Sequence, residues 1–162
     1  MCTQVQDEFF MTRALDQARM AESEGEVPVG AVVVLGGEVV GTGYNRPIAM
    51  KDPSAHAEML AIREAAARIG NYRLPGAVLF VTMEPCVMCA GLIVNARISR
   101  LVFGSRDLRF GGVRSKFRLA DSPLLNHRVE VAEGVLGAQS TAMVQRFFGL
   151  RRDSGAVPSA GG

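Results

Sequence analysis

Apolar residues recur at three- and four-residue spacing from Asp7 to Glu24, at Phe10, Met11, Ala14, Leu15, Ala18 and Ala21. That period lays one stripe along a helix and predicts an amphipathic helix packed on a core, ending near Gly25. The pattern then changes. Gly30 to Leu35 and Val39 to Tyr44 are short runs rich in β-branched residues, joined through Gly36-Gly37, and read as a hairpin. Asn45 opens a loop containing Pro47 and Pro53, and a second helix is predicted from about Ala55 to Arg68, closed by Gly70. Ala77 to Thr82 fits a buried strand. Pro85 biases Glu84 away from helical geometry and suits the first turn of a new helix, which should run to about Asn95. Arg100 to Phe103 reads as a strand, Gly104 to Ser115 as a loop rich in Gly and Arg, Val129 to Ala132 as a short last strand, and Leu136 to about Leu150 as a last helix.

Helices alternating with strands after an opening hairpin imply an α/β fold, a three-layer α/β/α sandwich around a mixed sheet of about five strands. At 162 residues, 48% hydrophobic and 21% charged, the chain can fill one sizeable core, so one domain is expected over residues 1–152. The stretch from Asp153, DSGAVPSAGG, has no apolar period and is expected to be a disordered tail over residues 153–162. No apolar run approaches the roughly 20 residues of a membrane span. Asp7, Glu8, Arg13, Asp16, Arg19 and Glu22 interrupt the first thirty positions, unlike a signal peptide, so a cytoplasmic protein without membrane association is expected. A net charge of +2 does not by itself point to nucleic acid, because clustering of charge is what matters.

Two short motifs carry chemistry. His56-Ala57-Glu58 stands at the start of the second helix, and Pro85-Cys86-Val87-Met88-Cys89 at the start of the third. Each is unspecific alone, since a Cys-x-x-Cys can be a redox pair or half of a structural metal site. Together they supply one imidazole and two thiolates, a zinc ligand set that leaves a fourth position for water in catalytic sites. Closing such a site structurally would need Cys2 or His127 as a fourth ligand. Both Cys86 and Cys89 lie near a helix N-terminus, where unpaired N–H groups and the helix dipole favour thiolates. Residues two apart do not share a helix face, so His56 and Glu58 can serve one site only from the helix end. There Glu58 can take a proton from water and pass it to a ring nitrogen and a leaving amine.

The pattern H-x-E followed by P-C-x-x-C is the general signature of zinc nucleobase deaminases, and both of its halves are intact in this chain. The resemblance extends further. Glu26-Val27-Pro28-Val29-Gly30-Ala31, Asn45-Arg46-Pro47, His56-Ala57-Glu58, Asn71-Tyr72-Arg73-Leu74, Glu84 to Gly91, Phe103-Gly104, Arg106-Asp107 and Asn126-His127-Arg128-Val129-Glu130 make the chain similar to the bacterial tRNA adenosine deaminases over about residues 7–152. The resemblance implies a cytidine deaminase-like fold and hydrolysis of the wobble adenosine to inosine in the tRNA anticodon stem-loop, chiefly of an arginine tRNA. It implies a homodimer with one Zn2+ per subunit, held by His56, Cys86 and Cys89, with Glu58 as proton shuttle. It also implies that Asn45 hydrogen-bonds the purine, that Val29 and Ala57 line the base pocket, and that Asp107 lies beside the flipped nucleotide's backbone. Phe147, Phe148, Arg151 and Arg152 match the C-terminal helix that contacts the anticodon loop.

Adjacent helical residues diverge by about 100°, so of Phe147 and Phe148 one should be core and the other exposed. The loop Leu108-Arg109-Phe110-Gly111-Gly112-Val113-Arg114-Ser115 departs from the family, carrying two arginines and a phenylalanine where small residues are usual. Two alternatives stand beside this reading. One is a deaminase of a free base or nucleotide of the guanine or cytosine type, sharing the zinc site. The other is an RNA-binding protein with structural zinc.

Overall fold

The computed structural model describes residues 3–153 and Gly155. The apolar stripe of the first helix is realised in α1 (Thr3–Ser23), whose buried positions Met11, Ala14, Leu15, Ala18 and Ala21 keep the predicted spacing. The hairpin strands β1 (Gly30–Leu35) and β2 (Glu38–Tyr44) turn through Gly36 and Gly37, both at positive φ (61° and 80°), the conformation a tight hairpin requires. There follow α2 (Pro47–Met50), α3 (Ala57–Ile69), β3 (Val78–Met83), α4 (Val87–Asn95), β4 (Arg100–Ser105), β5 (Glu130–Glu133) and α5 (Gly137–Asp153).

The five strands form one mixed sheet in the order β2-β1-β3-β4-β5. β1 runs antiparallel to both neighbours, whereas β3, β4 and β5 run parallel. Alternation along the strands divides the core into two layers. Val32, Val34, Phe80 and Val102 face Met11 and Ala14 of α1. Ala31, Val33, Leu79, Val81, Leu101 and Phe103 face the side where Ala61 and Ala65 of α3 and Ile93 and Val94 of α4 pack. Met143 of α5 joins Leu15 and Ala18, so α5 shares the α1 face and the fold is the expected α/β/α sandwich.

Helices approach the sheet closely where side chains are missing. A Cβ at Gly43 would overlap the backbone of Ala57 and Ala61, and one at Gly41 that of Ala61 and Ala65. α3 is therefore seated on β2 by backbone contact, and its first residue fixes where the preceding His56 stands.

Several boundaries differ from expectation for local reasons. The loop after Asn45 contains the one-turn α2, whose free Ile48 and Ala49 N–H groups donate to the buried Glu26 carboxylate at 3.2 and 2.9 Å. α3 begins at Ala57 and not near Ala55, because His56 is extended (φ −79°, ψ 154°) as its N-cap. α4 begins at Val87 with Cys86 as an extended N-cap, which leaves Pro85 before the helix and not in its first turn. β4 continues through Gly104 and Ser105 into the predicted loop. Asp153, expected in the tail, ends α5. Ser154 and residues 156–162 of that tail lie outside the described residues, as does Cys2. No described helix is long and apolar enough to cross a membrane.

Replacing Gly43 by alanine should force α3 off β2. The expected loss is about 1–3 kcal/mol, as for other overpacked interiors, measured by thermal or urea denaturation. An unchanged melt would show that α3 is not held by this contact.

Candidate metal centre and active site

The parallel pairing of Met83 with Ser105 brings the C-terminal ends of β3 and β4 together, and the N-termini of α3 and α4 converge on the same place. His56 and Cys86 are the two N-cap residues, and their extended backbones turn both side chains inward from the helix ends. Cys89 lies in the first turn of α4, fully buried. His56 Nδ1 stands 3.5 Å from Cys86 Sγ and 3.6 Å from Cys89 Sγ. Two ligands on one zinc, with bonds of roughly 2.0–2.3 Å, stand about this far apart.

The His56 ring nitrogen lies within hydrogen-bonding reach of both thiols. Hydrogen bonding from Cys89 foremost, with His56 adding to it against the effect of burial, holds the Cys86 thiol down to about 4. The same bond to Cys86, together with burial, pushes the Cys89 thiol up. The bond to Cys86 also raises His56. One imidazole and two thiols arranged this way suit a borderline-soft cation that displaces those protons. Among the described residues, these three are the group able to hold a metal ion. His127, the alternative fourth ligand, is instead tied to the Ile98 carbonyl at 2.8 Å, and Cys2 lies outside the described residues.

Glu58 is the second residue of α3 and only 4% exposed. Burial pushes its carboxyl up to about 7, while its own backbone N–H and the His56 charge act in the opposite direction. A carboxyl near neutrality can both accept and return a proton. With His56 and Cys86 it lines an open cleft, which also includes Val29, Asn45, Met83, Glu84, Asp107 and Phe110.

Asn45 is buried, and its Oδ1 accepts the Ala57 N–H at 3.0 Å, so it steadies the start of α3. With that oxygen committed, what Asn45 has left to offer a ligand is its amide N–H pair. Ala57 itself is fully buried at the helix start. Asp107 Oδ1 accepts the N–H groups of Arg109 and Phe110 at 3.0 and 3.1 Å, which curls the loop at the cleft's edge.

Sequence reasoning gave Glu84 no role beyond its place before Pro85, yet its carboxylate organises that loop. It is 3% exposed and accepts N–H groups from Asp107 (3.1 Å), Val113 (3.1 Å), Arg114 (2.7 Å) and Ser115 (2.9 Å), and the Ser115 hydroxyl as well. Gly111 lies so close to this carboxylate that a Cβ would overlap it, and it bridges to Cys86. One signal that could have found it was a charge closing the uncharged run Ala77 to Met83 directly before Pro85-Cys86.

The C-terminal helix divides its residues. Phe147 is buried, and Phe148 is half-buried, edge-on to it at 5.3 Å, so the partner expected to be exposed is only partly so. The Arg151 guanidinium lies 4.3 Å over the Phe147 ring and donates to the Gly25 carbonyl, whereas Arg152 is exposed.

A helix-capped His-Cys-Cys group on an α/β/α sandwich, with a buried glutamate beside it, defines a zinc-dependent deaminase. Residues 4–105 match the family described as the cytidine and deoxycytidylate deaminase zinc-binding region. The tRNA-specific adenosine deaminase of Haemophilus influenzae is 44% identical over 155 residues, 95% of this chain and 90% of that protein. That of Aquifex aeolicus is 43% identical over 90% of this chain and 97% of its own. A structure from a study of A-to-I editing by tRNA:A34 deaminases superposes with a TM-score of 0.81 at 44% identity, covering 83% of this chain and 98% of the other. The chain belongs to the tRNA-specific adenosine deaminase family.

Burial alone would raise the Glu84 carboxyl, but bonds from the Ser115 hydroxyl and from the Arg114, Ser115 and Asp107 N–H groups hold it below its ordinary 4.5. A depressed carboxylate contributes stability above the ordinary value, and that stability is lost as pH falls through the folded one. Protection of the Val113, Arg114 and Ser115 amides in hydrogen exchange should therefore weaken below about pH 4.5, relative to the central strands. Glu84→Gln should lose about 1–3 kcal/mol of that protection at neutral pH and show no such acid dependence. Unchanged protection in the variant would remove Glu84 from this role.

Proposed function

We propose that this chain hydrolyses the wobble adenosine of a tRNA anticodon to inosine, with an arginine tRNA as its chief substrate. The observation that carries this reading is a buried Glu58 beside the His56-Cys86-Cys89 group, opening on a cleft lined by Val29 and Asn45. His56, Cys86 and Cys89 hold one zinc per subunit. When bound, the metal supplies the Lewis acidity that makes water a nucleophile at neutral pH. Glu58 accepts a proton from the attacking water and delivers it to N1 of the purine as C6 becomes tetrahedral. It then transfers the second proton to the amine, so ammonia leaves and the oxygen remains on C6. Asn45 donates its amide N–H to the purine, Val29 and the backbone around Ala57 shape the pocket, and Asp107 sits beside the flipped nucleotide's backbone.

The relatives' names support tRNA as the partner, and a tRNA substrate supports a cytoplasmic protein. A second copy of the chain completes the working enzyme as a homodimer. On α5, Phe148 and Arg152 are the members turned outward to meet the anticodon loop, while Phe147 and Arg151 hold the helix in place.

The deciding experiment is inosine formation in an anticodon stem-loop, with free guanine and cytosine nucleotides as parallel substrates. Wild type should deaminate the RNA, and Glu58→Ala should keep stoichiometric zinc while losing about 10²–10⁴ or more in rate. Loss of zinc in that variant would mean Glu58 is a ligand, and activity confined to free bases would overturn the substrate.

The two arginines should separate. Arg152→Ala should reduce the salt slope of RNA binding by about one charge with an unchanged melt. Arg151→Ala should instead lower the melting temperature. An unchanged salt slope for Arg152→Ala would remove it from the RNA surface.

A further inference from the structure

Among the residues that line the cleft, Phe110 has no part in the chemistry above. Phe110 is 49% exposed although it lines the same cleft as His56, Glu58 and Cys86. Its position is fixed from both sides. On one side its N–H donates to Asp107 Oδ1, and the Gly111 N–H donates to the Asp107 carbonyl at 2.9 Å. On the other, Gly111 bridges to Cys86 and the Gly112 N–H donates to the Pro85 carbonyl at 2.8 Å. The Arg109 guanidinium stands over the ring, 5.7 Å from its centroid. An aromatic side chain is thus carried on a backbone tied to the Pro85-Cys86 segment, with a cation beside it and a large part of its surface open.

A deaminase that takes one base out of a single-stranded loop strips that base's neighbours of a stacking partner, and an exposed aromatic at the pocket's rim replaces it. A guanidinium next to the ring adds cation–π attraction and a partner for the adjoining phosphate. We infer that Phe110 is a stacking platform for the nucleotide adjacent to the target adenosine, with Arg109 facing its phosphate, so that this chain holds the flank of its target on the loop beside Cys86. The inference rests on RNA being the substrate. Stacking on a ring is tolerant of base identity, so the platform positions the strand and strengthens its binding more than it selects a sequence.

The test uses the zinc-loaded full chain and anticodon stem-loop RNAs. One RNA is unmodified, one is abasic immediately 5′ of the target, and one is abasic immediately 3′ of it. On unmodified RNA, Phe110→Leu should lower kcat/KM by about 5- to 150-fold, the range expected for one stacked base, while Phe110→Tyr stays near wild type. On one of the two abasic RNAs, wild type and Phe110→Leu should converge, because the base that stacks is gone. Equal kcat/KM for Phe110→Leu and wild type on unmodified RNA would overturn the platform, as would a leucine penalty that persists on both abasic RNAs. A penalty accompanied by dissociation of the enzyme in sedimentation would also overturn it, making Phe110 a subunit contact. Failure of wild type to form inosine in any RNA would overturn the substrate reading itself, and the platform with it.

Discussion

A carboxylate removed from water must find donors, and the Glu84 carboxylate finds them in Asp107, Val113, Arg114 and Ser115. Much of the site hangs on this arrangement. Glu84 leaves the end of β3 and comes two residues before Cys86, so the group that gathers the 107–115 loop is joined directly to a metal ligand. Without it, four N–H groups and a hydroxyl would need other partners, and the loop that closes one side of the cleft would keep its ties to Pro85 and Cys86 but lose this anchor. The same logic recurs across the cleft, where buried Glu26 gathers the free N–H groups of α2. In both places a buried carboxylate takes backbone N–H groups that have no carbonyl partner, those of a loop at Glu84 and those at the start of a one-turn helix at Glu26.

The seating of α3 supplies the other half of the geometry. Glycines on β2 let the helix backbone rest on the strand, and Asn45 fastens its first N–H. His56 is then displayed from an extended N-cap while Glu58, two residues on, is already helical. This break in conformation allows residues that would diverge within a helix to address one cleft.

The elements were legible in the sequence wherever a local pattern persisted. α1 follows from its three- and four-residue apolar spacing, and the hairpin and central strands from short β-branched or uninterrupted apolar runs. His56, Glu58, Cys86 and Cys89 were legible as a set because the chemistry of zinc restricts which residues can stand together. Glu84 was not, because its donors lie 23 to 31 residues away and are mostly backbone groups, which carry no residue-type signal. α2 was hidden for a similar reason, its N–H groups being satisfied by a glutamate more than twenty positions earlier. The split between Phe147 and Phe148 followed from helix geometry, but the extent to which Phe148 is covered depends on its ring leaning on its neighbour.

Arg151 closes a path that the linear order of the chain conceals. It lies on Phe147 and holds the Gly25 carbonyl. One residue further on, Glu26 anchors α2, and three beyond that Val29 lines the cleft. The last turn of α5 is thus a structural brace for the first wall of its pocket. An appended protein or affinity handle would therefore have to be joined beyond residue 153, with slack of its own. A join made closer in would load the brace, and the strain would be felt where the base is received.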